Sequence, residues 1–191
     1  MLAAISGSQG TGKSTLLASM VDIFPQITRK TSRSILSDWG VSLSQVNNDR
    51  LLTIKFQDEI LKRKQGDEAE AVASHRWYLG ERTYADLFTY ALIAIGKDNE
   101  YSDWLNEYHQ KCMIAQSAYK EVFYLTAGHF APVNDGVRGA NKHYSRMVDH
   151  MMYSYTKEMS PSLTVIDTAD LTLREFAVYM KLSEDLAGLS A

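Results

Sequence analysis

Eight consecutive residues near the start, Gly7-Ser8-Gln9-Gly10-Thr11-Gly12-Lys13-Ser14, constrain this chain more than anything else in it. They fit G-x-x-x-x-G-K-[ST] at every defined position. Ahead of them Leu2 to Ser6 is a short apolar run that reads as a buried strand. Behind them Leu16, Leu17, Met20, Val21 and Phe24 recur at helical spacing until Pro25 stops the pattern. Strand, glycine-rich turn and helix in that order make a phosphate cradle. The glycines let the backbone curl so that successive N–H groups point inward, and the helix start adds its positive dipole end. Residues Gly7 to Thr15 are therefore expected to hold the phosphates of ATP. Lys13 should reach the β- and γ-phosphates, and the Ser14 hydroxyl should ligate Mg²⁺.

The rest of the chain alternates between strand and helix signals. Gln26 to Arg29, Ala71 to Leu79, Glu121 to Leu125 and Leu163 to Ile166 read as further strands. Helical spacing covers Ser32–Trp39, Asp49–Gln65, Tyr84–Ile95, Ser102–Tyr119, Tyr144–Lys157 and Thr172–Leu186. Alternation of this kind predicts an α/β fold of three layers, a parallel sheet of about five strands with helices on both faces. Ligands on such sheets sit at the carboxyl ends of the strands. The 191 residues, 45% of them hydrophobic, suit one domain over 1–191 with a full core.

Three segments that follow strands carry a resemblance. Thr28-Arg29 resembles the T-R-E-P segment of thymidylate kinases, with Lys30 and Thr31 in place of Glu-Pro. Gly80-Glu81-Arg82-Thr83-Tyr84-Ala85-Asp86 is similar to the E-R-S segment of deoxynucleoside kinases and the D-R segment of thymidylate kinases. Pro132-Val133-Asn134-Asp135-Gly136-Val137-Arg138 resembles the lid sequence of P-loop kinases related to the ribosylnicotinamide kinases, some of them phage-encoded. The resemblance implies a P-loop kinase fold with a mobile lid over about 128–146. Arg138, arriving with that lid, would be the catalytic cation.

The Glu81-Arg82 pair has a physical reading of its own. An arginine at a strand end can grip an acceptor phosphate bidentately. The carboxylate beside it can order Mg²⁺ or accept a proton from a hydroxyl acceptor. Lys13, Glu81, Arg82 and Arg138 are the candidate catalytic set, with Ser14 and Glu81 at the metal. Asp86 and Tyr90 lie one helical turn apart on the following face. Asp86 is a candidate for a sugar hydroxyl and equally a solvated helix residue. Arg29, Lys30 and Arg33 give the second-strand region only cations, where deoxynucleoside kinases carry a glutamate base. A phosphate monoester is already anionic near neutral pH and needs positive charge rather than a base. Arg29, Arg33, Arg82, Asp86 and Tyr90 are therefore read as binding a nucleoside monophosphate, with a deoxynucleotide preferred. The alternative is a nucleoside or ribosylnicotinamide kinase using Glu81 as base. Asp167-Thr168-Ala169-Asp170, after the last strand, corresponds in related kinases to the region near the adenine. Trp39, Phe56, Trp77, Tyr84 and Tyr90 are aromatic candidates for stacking on an acceptor base, and core packing is their commoner use.

Other classes fit less well. A nucleic-acid-dependent ATPase needs an apolar strand ending in acidic residues, and Arg76 to Glu81 matches that poorly. A GTPase switch needs N-K-x-D, and Asn141-Lys142-His143-Tyr144 lacks the aspartate. A net charge of −3 gives no field that would draw the chain to nucleic acid or a membrane. The single cysteine, Cys112, reads as a small buried hydrophobe in a reducing compartment. The five histidines show no zinc spacing. With no apolar run long enough for a span, the expectation is a cytoplasmic protein with a small-molecule nucleotide substrate, homodimer formation being left open.

Overall fold

Small residues decide where the sheet sits. Ala3, Ala4 and Ile5 of β1 (Leu2–Ser6) are completely buried, and short side chains there let helices approach both faces closely. In the computed structural model, residues 1–24, 31–74, 78–130 and 141–187 are described, with side chains as far as 183. β1 lies between β2 (Tyr78–Glu81) and β3 (Tyr119–Leu125), and β4 (Leu163–Ile166) pairs on the far side of β3. All pairings are parallel, with Leu2 beside Tyr78 on one flank and beside Tyr119 on the other.

The helices are α1 (Lys13–Ser19), α2 (Thr31–Trp39), α3 (Leu43–Asn48), α4 (Arg50–Ser74), α5 (Tyr84–Ile95), α6 (Ser102–Gln116), α7 (Lys142–Met159) and α8 (Leu171–Ala187). Alternation along the strands sorts them into two layers. Ala3, Ile5, Phe123 and Leu125 pack with Leu16 and Leu17 of α1, with Met20 just after it, and with Val178 and Leu182 of α8. Ala4 and Val122 face the other way, onto Leu61 of α4, Ala85 and Phe88 of α5, Tyr108 and Cys112 of α6, and Met159 of α7. The result is the expected three-layer α/β fold. Four strands stand among the described residues rather than about five. The expected strand at Gln26–Arg29 lies outside them.

Several boundaries depart from the sequence reading. α1 ends at Ser19, and the apolar positions after it, Met20 to Phe24, lie in turns rather than in the helix. α4 does not stop before Gly66 but continues to Ser74, so Ala71–Ser74 is helix and not the first half of a strand. The helix carries the glycine because its next turn is anchored. Glu68 is buried, pairs with Lys64 at 2.7 Å, and accepts hydrogen bonds from the hydroxyls of Tyr84 and Tyr119. Those interactions outweigh the roughly 1 kcal/mol penalty of an interior glycine. The short helix α3 was not foreseen. It is fixed by a capping box in which Ser42 and Gln45 satisfy each other's backbone N–H groups. α6 ends at Gln116, so Tyr119 begins β3.

Among the described residues no helix is long and apolar enough to cross a membrane.

Candidate active site

The carboxyl end of β1 delivers the chain directly into the Gly7–Ser14 turn, and α1 starts at Lys13. Gly7, Gly10 and Gly12 all have positive φ, at 138°, 79° and 87°. The sequence placed glycine where the curled loop needs it. Thr11 Oγ1 donates to the Ser8 carbonyl at 3.0 Å and closes the loop on itself. The Lys13 ammonium is buried across the same loop. It donates to the Gly7 and Ser8 carbonyls at 2.8 and 2.6 Å and lies 3.3 Å from Thr11 Oγ1. Gln9, Gly10, Ser14 and Thr15 are exposed on the open side.

β2 runs beside β1 so that Glu81 is level with Ile5. Glu81 and Gly80 are thus the end of the strand rather than the turn after it. This register brings the Glu81 carboxylate to Ser14, whose hydroxyl donates to its two oxygens at 3.0 and 3.2 Å. A serine hydroxyl and a carboxylate side by side are hard oxygen donors of the kind magnesium takes, with phosphates and water completing the shell. No cluster of three or more His, Cys, Asp or Glu among the described residues makes an all-protein metal cage. The residues therefore fit Mg²⁺ arriving with a nucleotide.

Arg82 follows with φ of 71°, the single positive φ outside glycine among the described residues. A non-glycine residue there stores about 1–3 kcal/mol of strain, and such residues gather at functional sites. Its backbone N–H still extends the ladder to the Ile5 carbonyl at 2.9 Å. The guanidinium turns toward the loop, 3.4 Å from both the Gly7 carbonyl and the Tyr90 hydroxyl, and it lies over the Tyr90 ring at 5.3 Å. Asp86 Oδ2 is 3.7 Å away. Burial works against the charge of Arg82, but Tyr90, Asp86 and Glu81 outweigh it and hold the group protonated more firmly than usual.

Asp86 needs a correction. It is neither a solvated helix residue nor exposed to a sugar, because it is 0% accessible. Oδ1 accepts from the hydroxyls of Ser6 and Thr83, and Thr83 caps α5 by accepting from the Asp86 N–H at 3.2 Å. Ser6 Oγ also meets Thr156 Oγ1 of α7 at 3.1 Å. Asp86 lies under the site and orients Arg82. The stacking candidates also separate. Tyr84 is buried with its hydroxyl on Glu68, and Trp39 packs edge-on to Phe56 in a cluster of α2, α3 and α4. Of these aromatics Tyr90 reaches the site, and Trp77 lies outside the described residues. Arg33 is exposed on α2. Arg29, Lys30 and Arg138 lie outside the described residues, as does the stretch 131–140 of the expected lid. At the lid's far end, Lys142 and Arg146 belong to α7 and not to a loop.

Two arrangements around the β4–α8 connection escaped the sequence reading, which had named Asp167 and Thr168 without their partners. Thr126, at the end of β3, donates to Asp167 Oδ1 at 2.6 Å, and His129 Nε2 meets the same oxygen at 2.7 Å. The bonds from Thr126 and then His129 hold the Asp167 carboxyl below its usual range. Arg174, in the first turns of α8, is 2% exposed and donates to the Thr168 and Thr11 carbonyls, each at 2.6 Å. A hint was present in the sequence: a cation near a helix start opposes the dipole, so it needs another reason to be there. The concavities along α4, one of them beside Arg63, hold no convergent chemistry, since Arg63 is already paired with Glu59 and Asp38.

The family model that matches is described as an AAA domain and covers residues 2–174. Among curated proteins none matches the sequence. Solved structures with the same fold include deoxyadenosine kinase from M. mycoides with bound dATP. It superposes with a TM-score of 0.70 at 16% identity, covering 96% of this chain and 100% of that one. The same enzyme with products dCMP and a flexible dCDP gives 0.67 at 17% identity over 96% and 100%. Shikimate kinase from Acinetobacter baumannii in complex with shikimate gives 0.56 at 11% identity over 97% and 94%. At such identities the likeness establishes the fold.

Proposed function

Since this chain belongs to the AAA domain family and folds as deoxyadenosine and shikimate kinases do, we propose that it transfers a phosphoryl group from ATP to a nucleoside monophosphate, with a deoxynucleotide preferred. The observation that carries the reading is the Ser14–Glu81 pair with Arg82 beside it at the mouth of the loop. In this reading Lys13 leaves the Gly7 and Ser8 carbonyls and swings to the β- and γ-phosphates. Ser14 and Glu81 hold Mg²⁺, which when bound neutralises charge on the phosphate oxygens. Arg82, oriented by Asp86 and Tyr90, holds the acceptor phosphate in line, and Arg138 comes from the segment proposed as the lid, about 128–146. The whole of 1–191 then works as one kinase domain. We assign it a cytoplasmic place.

Glu81 separates the two acceptor classes. A general base must touch the acceptor hydroxyl. The carboxylate is already engaged by the metal-side serine, which favours an acceptor that is itself anionic. The second reading, a deoxynucleoside acceptor with Glu81 as base, draws on the likeness to deoxyadenosine kinase.

The test is ADP release with ATP and Mg²⁺ over a panel of deoxynucleoside monophosphates, deoxynucleosides and nicotinamide riboside. Turnover with monophosphates alone supports the first reading, and turnover with nucleosides alone replaces it by the second. ATP hydrolysis that responds only to DNA or RNA would remove both in favour of an ATPase. Lys13→Ala should lower kcat by about 10²- to 10³-fold, the usual effect of losing one transition-state donor.

A further inference from the structure

Arg174 is a buried cation with no counter-charge. Among the described residues it makes no ion pair, and its Nη2 has no hydrogen-bond partner at all. Nη1 and Nε are taken by the Thr11 and Thr168 carbonyls, which are neutral. One face of the guanidinium lies over the Phe130 ring, 5.3 Å from its centre. Burying an ionised group without an opposite charge is strongly unfavourable, and so is leaving a buried N–H unsatisfied. Surface guanidinium groups have water for both needs, and this one does not.

Its position says which ligand would meet both needs. Nη1 lies 2.8 Å from where a Cβ on Gly12 would sit, and Gly12 is the cap residue of α1. Lys13 approaches the Thr11 hydroxyl while Arg174 holds the Thr11 carbonyl. Two buried cations thus flank one residue of the loop, among described residues that offer Arg174 no carboxylate. The concentration of positive potential calls for a polyanion.

We propose that Arg174 is a phosphate-binding residue, whose Nη2 donates to the triphosphate of the bound nucleotide. The proposal rests on the nucleotide reading of the loop and adds to it a second cation. Its bonds to Thr11 and Thr168 tie the loop to the β4–α8 connection, and Phe130 holds the plane of the guanidinium. Nucleotide binding then supplies the missing charge and the missing acceptor together.

The experiment is calorimetric titration of the full chain with Mg·ATP and, separately, with inorganic tripolyphosphate plus Mg²⁺. The parent, Arg174→Gln, Arg174→Lys and Lys13→Ala are compared, with unliganded melting curves to confirm folding. Arg174→Gln is expected to weaken both ligands by about 10- to 100-fold, the range for one charge-assisted hydrogen bond. Equal affinity in parent and variant overturns the proposal. So does a loss confined to ATP, because tripolyphosphate has no base or sugar to lose contact with. If Arg174→Gln does not fold, Arg174→Lys is read instead. It keeps the charge but lacks the second amino group, so a loss of about tenfold for both ligands is expected, and unchanged affinities overturn the proposal. A parent that binds neither ligand takes down the nucleotide reading and Arg174's role with it. A parent that binds both, with Lys13→Ala impaired and Arg174→Gln not, removes Arg174's role alone.

Discussion

Replacing Gly7 by alanine should damage this protein far more than the same change at Gly10, although the two glycines sit three residues apart in one loop. Both have positive φ, 138° and 79°. A Cβ on Gly7 would stand 2.6 Å from the Leu125 carbonyl oxygen and 3.0 Å from Thr11 Oγ1, while one on Gly10 meets nothing within 4 Å. Relief at Gly7 requires moving the end of β3, a buried strand paired on both sides. The dihedral strain of alanine there is about 1–3 kcal/mol. Forcing a carbon into a filled space adds about 1–3 kcal/mol. Together these give about 2–6 kcal/mol for Gly7→Ala. Gly10→Ala carries the dihedral penalty alone, about 1–2 kcal/mol. At this chain length each kcal/mol moves Tm by about 2–4 °C, so the Gly7 variant should melt about 4–24 °C below the parent. Urea unfolding and thermal melts on the two variants in parallel make the measurement. Equal destabilisation, or a Gly7 variant within a degree of the parent, would refute the claim that the loop is wedged against β3.

Three further outcomes follow from the same geometry. Asp86→Ala strips Arg82 of its buried carboxylate and leaves Ser6 and Thr83 without their acceptor, so unfolding free energy should fall by about 3–5 kcal/mol; a loss under about 1 kcal/mol in denaturant titration contradicts the buried role. Glu81→Gln should weaken Mg²⁺ binding to the nucleotide complex by about 10- to 100-fold while metal-free ATP binding stays near the parent's, read by titrating metal into the preformed complex. Burial pushes the Cys112 thiol from 9.0 up to about 12. The folded form therefore keeps its proton more firmly, and stability present below about pH 9 is lost as pH rises toward 12. At pH 8 native Cys112 should react with a thiol reagent about 10³-fold more slowly than in denaturant; comparable rates would show that the α5–α6 layer opens freely.

The parts of the fold that were legible were those where one local rule acted alone. The loop, β1, α5 and β4 came out with their observed limits because glycine pattern, apolar run and helical spacing each spoke without competition. Ala71–Ser74 was misread because alanine and valine serve strand and helix equally. The deciding interaction, Glu68 with Lys64, Tyr84 and Tyr119, joins residues as far as 51 apart in sequence. α3 is only six residues long, too short for periodicity to register. Lys13, Ser14, Glu81 and Arg82 were grouped from the sequence because a motif or a strand end marked them, and the structure brings them together around the loop. Asp86 was read at the right place with the wrong surroundings, since nothing local tells that Ser6, 80 residues away, closes over it. Arg174 was missed for the same reason: its partner Thr11 lies 163 residues off.

The position of β1 between β2 and β3 also sets a timetable. Leu2 has its sheet partners at Tyr78 and Tyr119, so the first strand leaves the ribosome long before either neighbour exists. Closing those long loops is slow and entropically unfavourable. Until Leu125 has emerged, Gly7 has nothing to rest against. A nascent chain halted before β3 would therefore carry the entire phosphate-binding octet and still have no seat for a phosphate.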